Sequence, residues 1–167
     1  AQHHPYLPAV GFPIPQTHQG KWSYKVLTFA DVEQGTTVFT ERLLRALGRA
    51  PKGPETIALL CHSSPEFIFT WLALMKLGYS VLLIAPQCQP AAILHLYRSC
   101  EASAFFYDIA HAERAEQTCT LAQEEDANGF NSQLLPLGEE EDIYQVISEA
   151  VQSNFETPNL DETAVAY

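Results

Sequence analysis

His62-Ser63-Ser64 places an imidazole beside two hydroxyls, the residue types of a base and a nucleophile. Chain neighbours rarely point at one another, no G-x-S-x-G elbow is present, and a capping role accounts for both serines. Hydrolysis is therefore not the reading these residues support. Cys61 just before them has no adjacent Lys or Arg to lower its pKa, so a buried structural cysteine is the simpler assignment. The run Glu139-Glu140-Glu141-Asp142 gathers four carboxylates but lacks the alternating oxygen spacing and glycine turn of a Ca²⁺ loop, and reads as a solvated helix start. His3, His4 and His18 read as solvated polar residues, His95 and Tyr97 as amphipathic positions on a helix edge, and Lys76 as a complement to a helix dipole. Neither G-x-x-x-x-G-K-[ST] nor G-x-G-x-x-G occurs. No catalytic, cofactor-binding or metal-ligating residue is assigned on this basis.

The elements around these residues are more sharply written than the residues themselves. Thr56-Ile57-Ala58-Leu59-Leu60-Cys61 is almost wholly apolar, the pattern of a strand buried on both faces. Ser64 then stands as an N-cap, Pro65 at the first helical position and Glu66 near the positive helix end. Phe67, Ile68, Trp71, Leu72 and Met75 recur at helical spacing and are expected to form the buried face, with Gly78 ending the helix. Ser80-Val81-Leu82-Leu83-Ile84-Ala85 is the next expected buried strand. Two apolar strands joined by one helix make a βαβ unit, which requires parallel pairing and a right-handed crossover.

Upstream, residues 1–23 contain Pro5, Pro8, Pro13 and Pro15 without periodicity, apart from a short strand beginning at Trp22, and are expected to be an extended arm lying against a folded surface. Thr28-Phe29-Ala30-Asp31 is a capping-box variant opening a helix whose apolar face is Val32, Thr36, Phe39, Leu43 and Leu47, with Gly48 as its stop. Downstream, Pro90 opens a helix carrying Ile93, Leu94, Leu96 and Tyr97, and Ser103-Ala104-Phe105-Phe106-Tyr107 is a third strand. Residues 109–129 read as an exposed helix and loop, 133–136 as an edge strand and 139–151 as a helix. Residues 154–163 read as a loop, and 164–167 as the start of a strand inside which the sequence ends. The expectation is an α/β fold, mainly a parallel sheet with helices on both faces.

The 167 residues are 47% hydrophobic, enough for one core. A formal net charge of −11 repels nucleic acid and anionic membrane and leaves no basic patch. Lys76 and Gly78 divide the longest apolar run, so no membrane span is expected. Cys61, Cys88, Cys100 and Cys119 show no C-x-x-C pairing, which favours thiols and an intracellular, cytoplasmic setting.

Three segments together resemble the N-terminal part of the adenylate-forming (AMP-binding) superfamily of acyl-CoA synthetases and nonribosomal peptide synthetase adenylation domains. Leu27-Thr28-Phe29-Ala30-Asp31-Val32 is similar to the family's Leu-Thr-Tyr-x-Glu-Leu. His62-Ser63-Ser64-Pro65-Glu66-Phe67 is similar to its Asn-Ser-x-Glu-Phe turn, and Leu74-Met75-Lys76-Leu77-Gly78 with 81–86 to its Leu-x-Lys-Ala-Gly-x-x-x-x-Pro-x-Asp-Pro. Residues 159–167 resemble the acidic loop and strand leading to the family's phosphate-binding loop. Leu77 replaces the usual Ala, and Leu83 and Ala85 stand where Pro and Asp are frequent, a drift most similar to fungal synthetase-like and reductase-associated adenylation domains.

The resemblance implies a division into an arm at 1–23 and an incomplete N-terminal α/β subdomain at 24–167. It implies ATP and Mg²⁺ for a full-length parent, with neither held tightly by this chain, and a carboxylic acid and a thiol acceptor (CoA or phosphopantetheine) as the parent's partners. The catalytic motifs would then lie beyond Tyr167, and this chain alone would be inactive. The alternative from the residues alone is a stand-alone Rossmann- or flavodoxin-like module, with a small ligand near 62–64 and 86–89 at the carboxyl ends of the strands.

Overall fold

The computed structural model describes residues 4–15, 22–125, 130 and 132–134. The expected helix over 139–151, the loop over 154–163, the strand at 164–167 and the carboxylates Glu139 to Asp142 lie outside the described residues, as do His3 and His18.

The chain enters through a hairpin. Strand β1 (Pro8–Pro15) pairs antiparallel with β2 (Trp22–Thr28), Phe12 standing opposite Lys25 and Val10 opposite Leu27. Within the segment expected as an extended arm lying against a folded surface, residues 8–15 form a strand paired with β2. A two-stranded ribbon has open edges, and Pro13 and Pro15 share one parity, so their missing N–H groups fall on one side of the ribbon. Helix α1 (Phe29–Leu47) follows at once through the expected capping box: Asp31 N–H donates to Thr28 Oγ1 at 3.2 Å and Thr28 N–H donates to Asp31 Oδ2 at 2.8 Å. Gly48 closes it at φ 71°, in the left-handed region.

Next come β3 (Thr56–Leu60), α2 (Pro65–Lys76), β4 (Ser80–Leu83), α3 (Pro90–Ser99), β5 (Ala102–Tyr107), α4 (Ala112–Glu124) and β6 (Ser132–Leu134). The last four strands form one sheet in the order β4-β3-β5-β6, every pairing parallel. β3 is central and its side chains alternate between two cores. Ile57, Leu59 and Cys61 join Phe39 and Leu43 of α1, Phe69 and Leu74 of α2, and Phe106. Ala58 and Leu60 join Ile93 and Tyr97 of α3, Ala115 of α4, and Phe105. Helices thus cover both faces, α1 packing on α2 and α3 on α4.

Four expectations are corrected by the packing. The fully buried side of α2 is Phe69, Thr70, Ala73 and Leu74 rather than the Phe67–Met75 stripe, with Phe67 and Trp71 partly covered and Met75 exposed. The helix is apolar almost all round, so periodicity alone does not select the side that meets the sheet. β4 is an edge strand of the described sheet, with Leu83 exposed, rather than a strand buried on both faces. Tyr97 is a core residue, not an edge position. The segment after Ile109 is not wholly exposed, because α4 turns Ala115, Thr118 and Ala122 inward. The four cysteines are all thiols.

Candidate functional site

The register of the central strands builds the one side-chain cluster among the described residues suited to chemistry. Leu60 stands opposite Tyr107, so the residues that follow β3 and β5 emerge side by side. Asp108 follows β5 directly. Its Oδ2 accepts the His62 backbone N–H at 2.7 Å and lies 3.3 Å from His62 Nδ1. A one-turn 3-10 helix (Ile109–His111), closed by His111 N–H donating to Asp108 O at 3.0 Å, then folds His111 back over the same carboxylate. His111 Nδ1 sits 2.5 Å from Asp108 Oδ1, and the two imidazole rings lie 4.5 Å apart, tilted by 38°.

The location follows from topology. After β3 the chain crosses on the α2 face to β4, and after β5 it crosses on the α4 face to β6, so the adjacent strands β3 and β5 send their connections to opposite faces. That is a topological switch point, where open α/β sheets leave a crevice at the carboxyl ends of their strands. Burial raises the Asp108 pKa, but the His62 N–H and the His111 and His62 rings outweigh it and hold the carboxyl below its usual value. Burial, with the Asp108 charge beside it, pushes the Cys61 thiol well up, so Cys61 is a structural cysteine and no nucleophile.

Ser64 is the N-cap of α2, its Oγ accepting the Phe67 N–H at 3.1 Å, and His62 turns to Asp108 rather than to either serine. The hydrolytic arrangement is absent among the described residues. Lys76 Nζ donates to Thr37 Oγ1 at 3.1 Å, tying the end of α2 to α1. His95 is exposed on α3, near Ser99. The sequence reading missed Asp108 and His111 altogether. The available signal was weak: a polar residue directly after an apolar strand, which acquires meaning only once β5 is placed beside β3.

The described strand ends do not fit a nucleoside triphosphate. Phosphate binding asks for free backbone N–H groups in a glycine-rich loop and for cationic side chains. Here the His62 N–H is taken by Asp108, the Phe67 N–H by Ser64, and the Asp108 carboxylate stands at the switch point. Pro86-Gln87-Cys88-Gln89 after β4 contains no glycine.

Parallel strands wound on both sides define an α/β fold of the kind that begins adenylate-forming enzymes. The sequence matches the AMP-binding enzyme family over residues 1–167, and the chain belongs to that family. Solved structures agree in fold. O-succinylbenzoate coenzyme A synthetase from Bacillus subtilis, in complex with AMP, superposes with a TM-score of 0.58 at 14% identity, covering 94% of this chain and 32% of its own. A Mycobacterium tuberculosis fatty acyl CoA synthetase gives 0.57 at 17% identity, covering 82% and 25%. The A-PCP didomain of a carboxylic acid reductase from Segniliparus rugosus, in complex with AMP, gives 0.55 at 12% identity, covering 89% and 21%. The chain therefore spans a third or less of the length of these structures. Comparison with curated protein sequences gives no match. Among the described residues no helix is long and apolar enough to cross a membrane.

Proposed function

We propose that this chain is the N-terminal portion of an ATP-dependent ligase that activates a carboxylate as its acyl-adenylate. The observation that carries the reading is the family match across all 167 residues, joined to the doubly covered parallel sheet. In this reading residues 24–167 are part of an α/β subdomain preceded by the segment 1–23. The described residues form a wall of the N-terminal region. ATP with Mg²⁺, the carboxylic acid and a thiol acceptor such as CoA or phosphopantetheine are handled by residues outside them, in an intracellular, cytoplasmic enzyme. The poor fit of the strand ends to a triphosphate supports this division of labour, as does their lack of a glycine-rich loop. It disfavours a stand-alone nucleotide-binding module.

ATP–pyrophosphate exchange with a panel of carboxylic acids tests the reading. The protein made from the whole reading frame around this sequence is expected to exchange label with at least one acid class, and the 167-residue chain alone with none. Exchange by the short chain would overturn the division of labour. Silence of the whole protein across aliphatic, aromatic and amino acids would overturn the activity.

A further inference from the structure

We propose that His62, Asp108 and His111 form a binding site for one divalent transition-metal cation of the Zn²⁺ class at the switch point between β3 and β5. One donor atom from each of the three residues lies within 4.8 Å of the others. Two imidazoles and a carboxylate suit Zn²⁺ or Co²⁺ and are poorly matched to Mg²⁺ or Ca²⁺, which take oxygen ligands. Donors around a tetrahedral Zn²⁺ with bonds near 2.0 Å stand ~3.3 Å apart. His62 Nδ1 and Asp108 Oδ2 are already at that spacing, 3.3 Å. The His111–Asp108 contact of 2.5 Å is a hydrogen bond that opens as the cation enters.

The setting is that of an anchored site with a way in. The side chains of His111 and Asp108 are 6% and 17% exposed and held by the strand ends, while that of His62 is 62% exposed and forms the mouth. The His62 N–H fixes the Asp108 carboxylate without using the ring. The carboxylate is ionised at neutral pH, and a chain of net charge −11 draws cations toward it. Three protein donors leave a coordination position open to water or another ligand. Binding needs a lone pair at each donor nitrogen, so the proton that His111 Nδ1 shares with Asp108 leaves for solvent or for Nε2 of the same ring as the cation enters.

The test is Zn²⁺ titration of the 167-residue chain against a chromophoric chelator, with the visible absorption of added Co²⁺ as a geometry readout. The expected result is one equivalent bound, a Co²⁺ band of four-coordinate intensity, and a fall in affinity of about tenfold or more in His62→Ala and Asp108→Asn. His62 is exposed, so His62→Ala removes a donor without opening the core and remains informative if Asp108→Asn fails to fold. His3→Ala/His4→Ala should keep the bound equivalent. Unchanged affinity in His62→Ala, loss of the equivalent in His3→Ala/His4→Ala, or no uptake by the parent chain would each overturn the site and leave Asp108 as a hydrogen-bonding clasp between two loops.

Discussion

On one face of the sheet, α1 and α2 lay Phe39, Leu43, Phe69 and Leu74 onto Ile57, Leu59 and Phe106. On the other, α3 and α4 lay Ile93, Tyr97 and Ala115 onto Ala58, Leu60 and Phe105. The first face is thick: the 19-residue α1 packs on α2 over the strands, and Gly35 of α1 lets the Phe69 ring of α2 come close. The second is thinner, because α4 contributes Ala115, Thr118 and Ala122 where α1 contributes Phe39 and Leu43. Large side chains meeting a glycine leave little freedom to relax, whereas the small inward side chains of α4 have little volume to lose. The two faces should therefore differ in how much volume a substitution can remove and in what its removal costs.

The largest difference is expected at Phe69. Phe69→Ala removes a fully buried ring from the thick face and should cost ~3–5 kcal/mol, while Ile93→Val on the thin face should cost ~0.5–1.5 kcal/mol, both read by denaturant unfolding. Gly35→Ala sharpens the contrast. The added Cβ would meet Phe69 ring carbons at 2.5–2.9 Å, which should destabilise by ~1–3 kcal/mol in the parent. The same substitution in a Phe69→Ala background has the clash removed and should be close to neutral or favourable, since Ala is the better helix former. Additive costs in that double-mutant cycle would show that the glycine is not there for the ring.

How much of this was readable beforehand follows the range of the interactions. Thr28, Asp31, Gly48, Ser64 and Pro65 act within a few residues of themselves, and each stands where the sequence places it. Apolar runs located β3 and β5, and the resemblance carried by residues 27–32, 62–67 and 74–86 led to the family that the chain matches. What failed depended on partners. β1 is a strand because β2 lies beside it, and proline-rich composition says nothing of that. The buried side of α2 is chosen by the sheet and by α1 from a helix apolar all round. The His62–Asp108 contact spans 46 positions and exists only because β5 inserts beside β3, an order that no local pattern encodes.

A middle-sized difference is expected at the helix starts. Both helices of the thick face carry side-chain caps, Thr28 and Ser64, whereas α3 on the thin face begins at Gln89 with no side-chain hydrogen bond to its first turn. Thr28→Ala should cost ~1 kcal/mol by removing an oxygen that satisfies an otherwise orphaned N–H. Gln89→Asp should stabilise by up to ~1 kcal/mol, adding both a cap and a charge suited to the positive helix end. Thermal midpoints that move down and up respectively would confirm that the thin face is the less optimised of the two. A fall in both would mean that Gln89 has a role its backbone geometry does not reveal.

The smallest expected difference lies in two exposed ion pairs, one beside each face. Arg49 grips Glu55 with two contacts, Nη1 to Oε1 at 2.7 Å and Nη2 to Oε2 at 3.0 Å, bracing the connector from α1 to β3. Arg98 of α3 meets Glu125 at the end of α4 through a single nitrogen. A bidentate pair holds its geometry better than a single contact, and both are weakened by solvent. The Arg49 hydrogen bond is the main influence on Glu55, and it outweighs desolvation to hold the carboxyl below its ordinary value. A depressed carboxylate pKa contributes stability above the unfolded value, and that contribution disappears as pH falls through the folded one. Glu55→Gln should accordingly lower the thermal midpoint slightly at neutral pH, by more than Glu125→Gln does, and the gap between Glu55→Gln and the parent should close on acidification below the carboxylate range. No gap at neutral pH would mean that Glu55 acts through its hydrogen bond from the Lys52 N–H, which a glutamine oxygen also accepts, rather than through its charge.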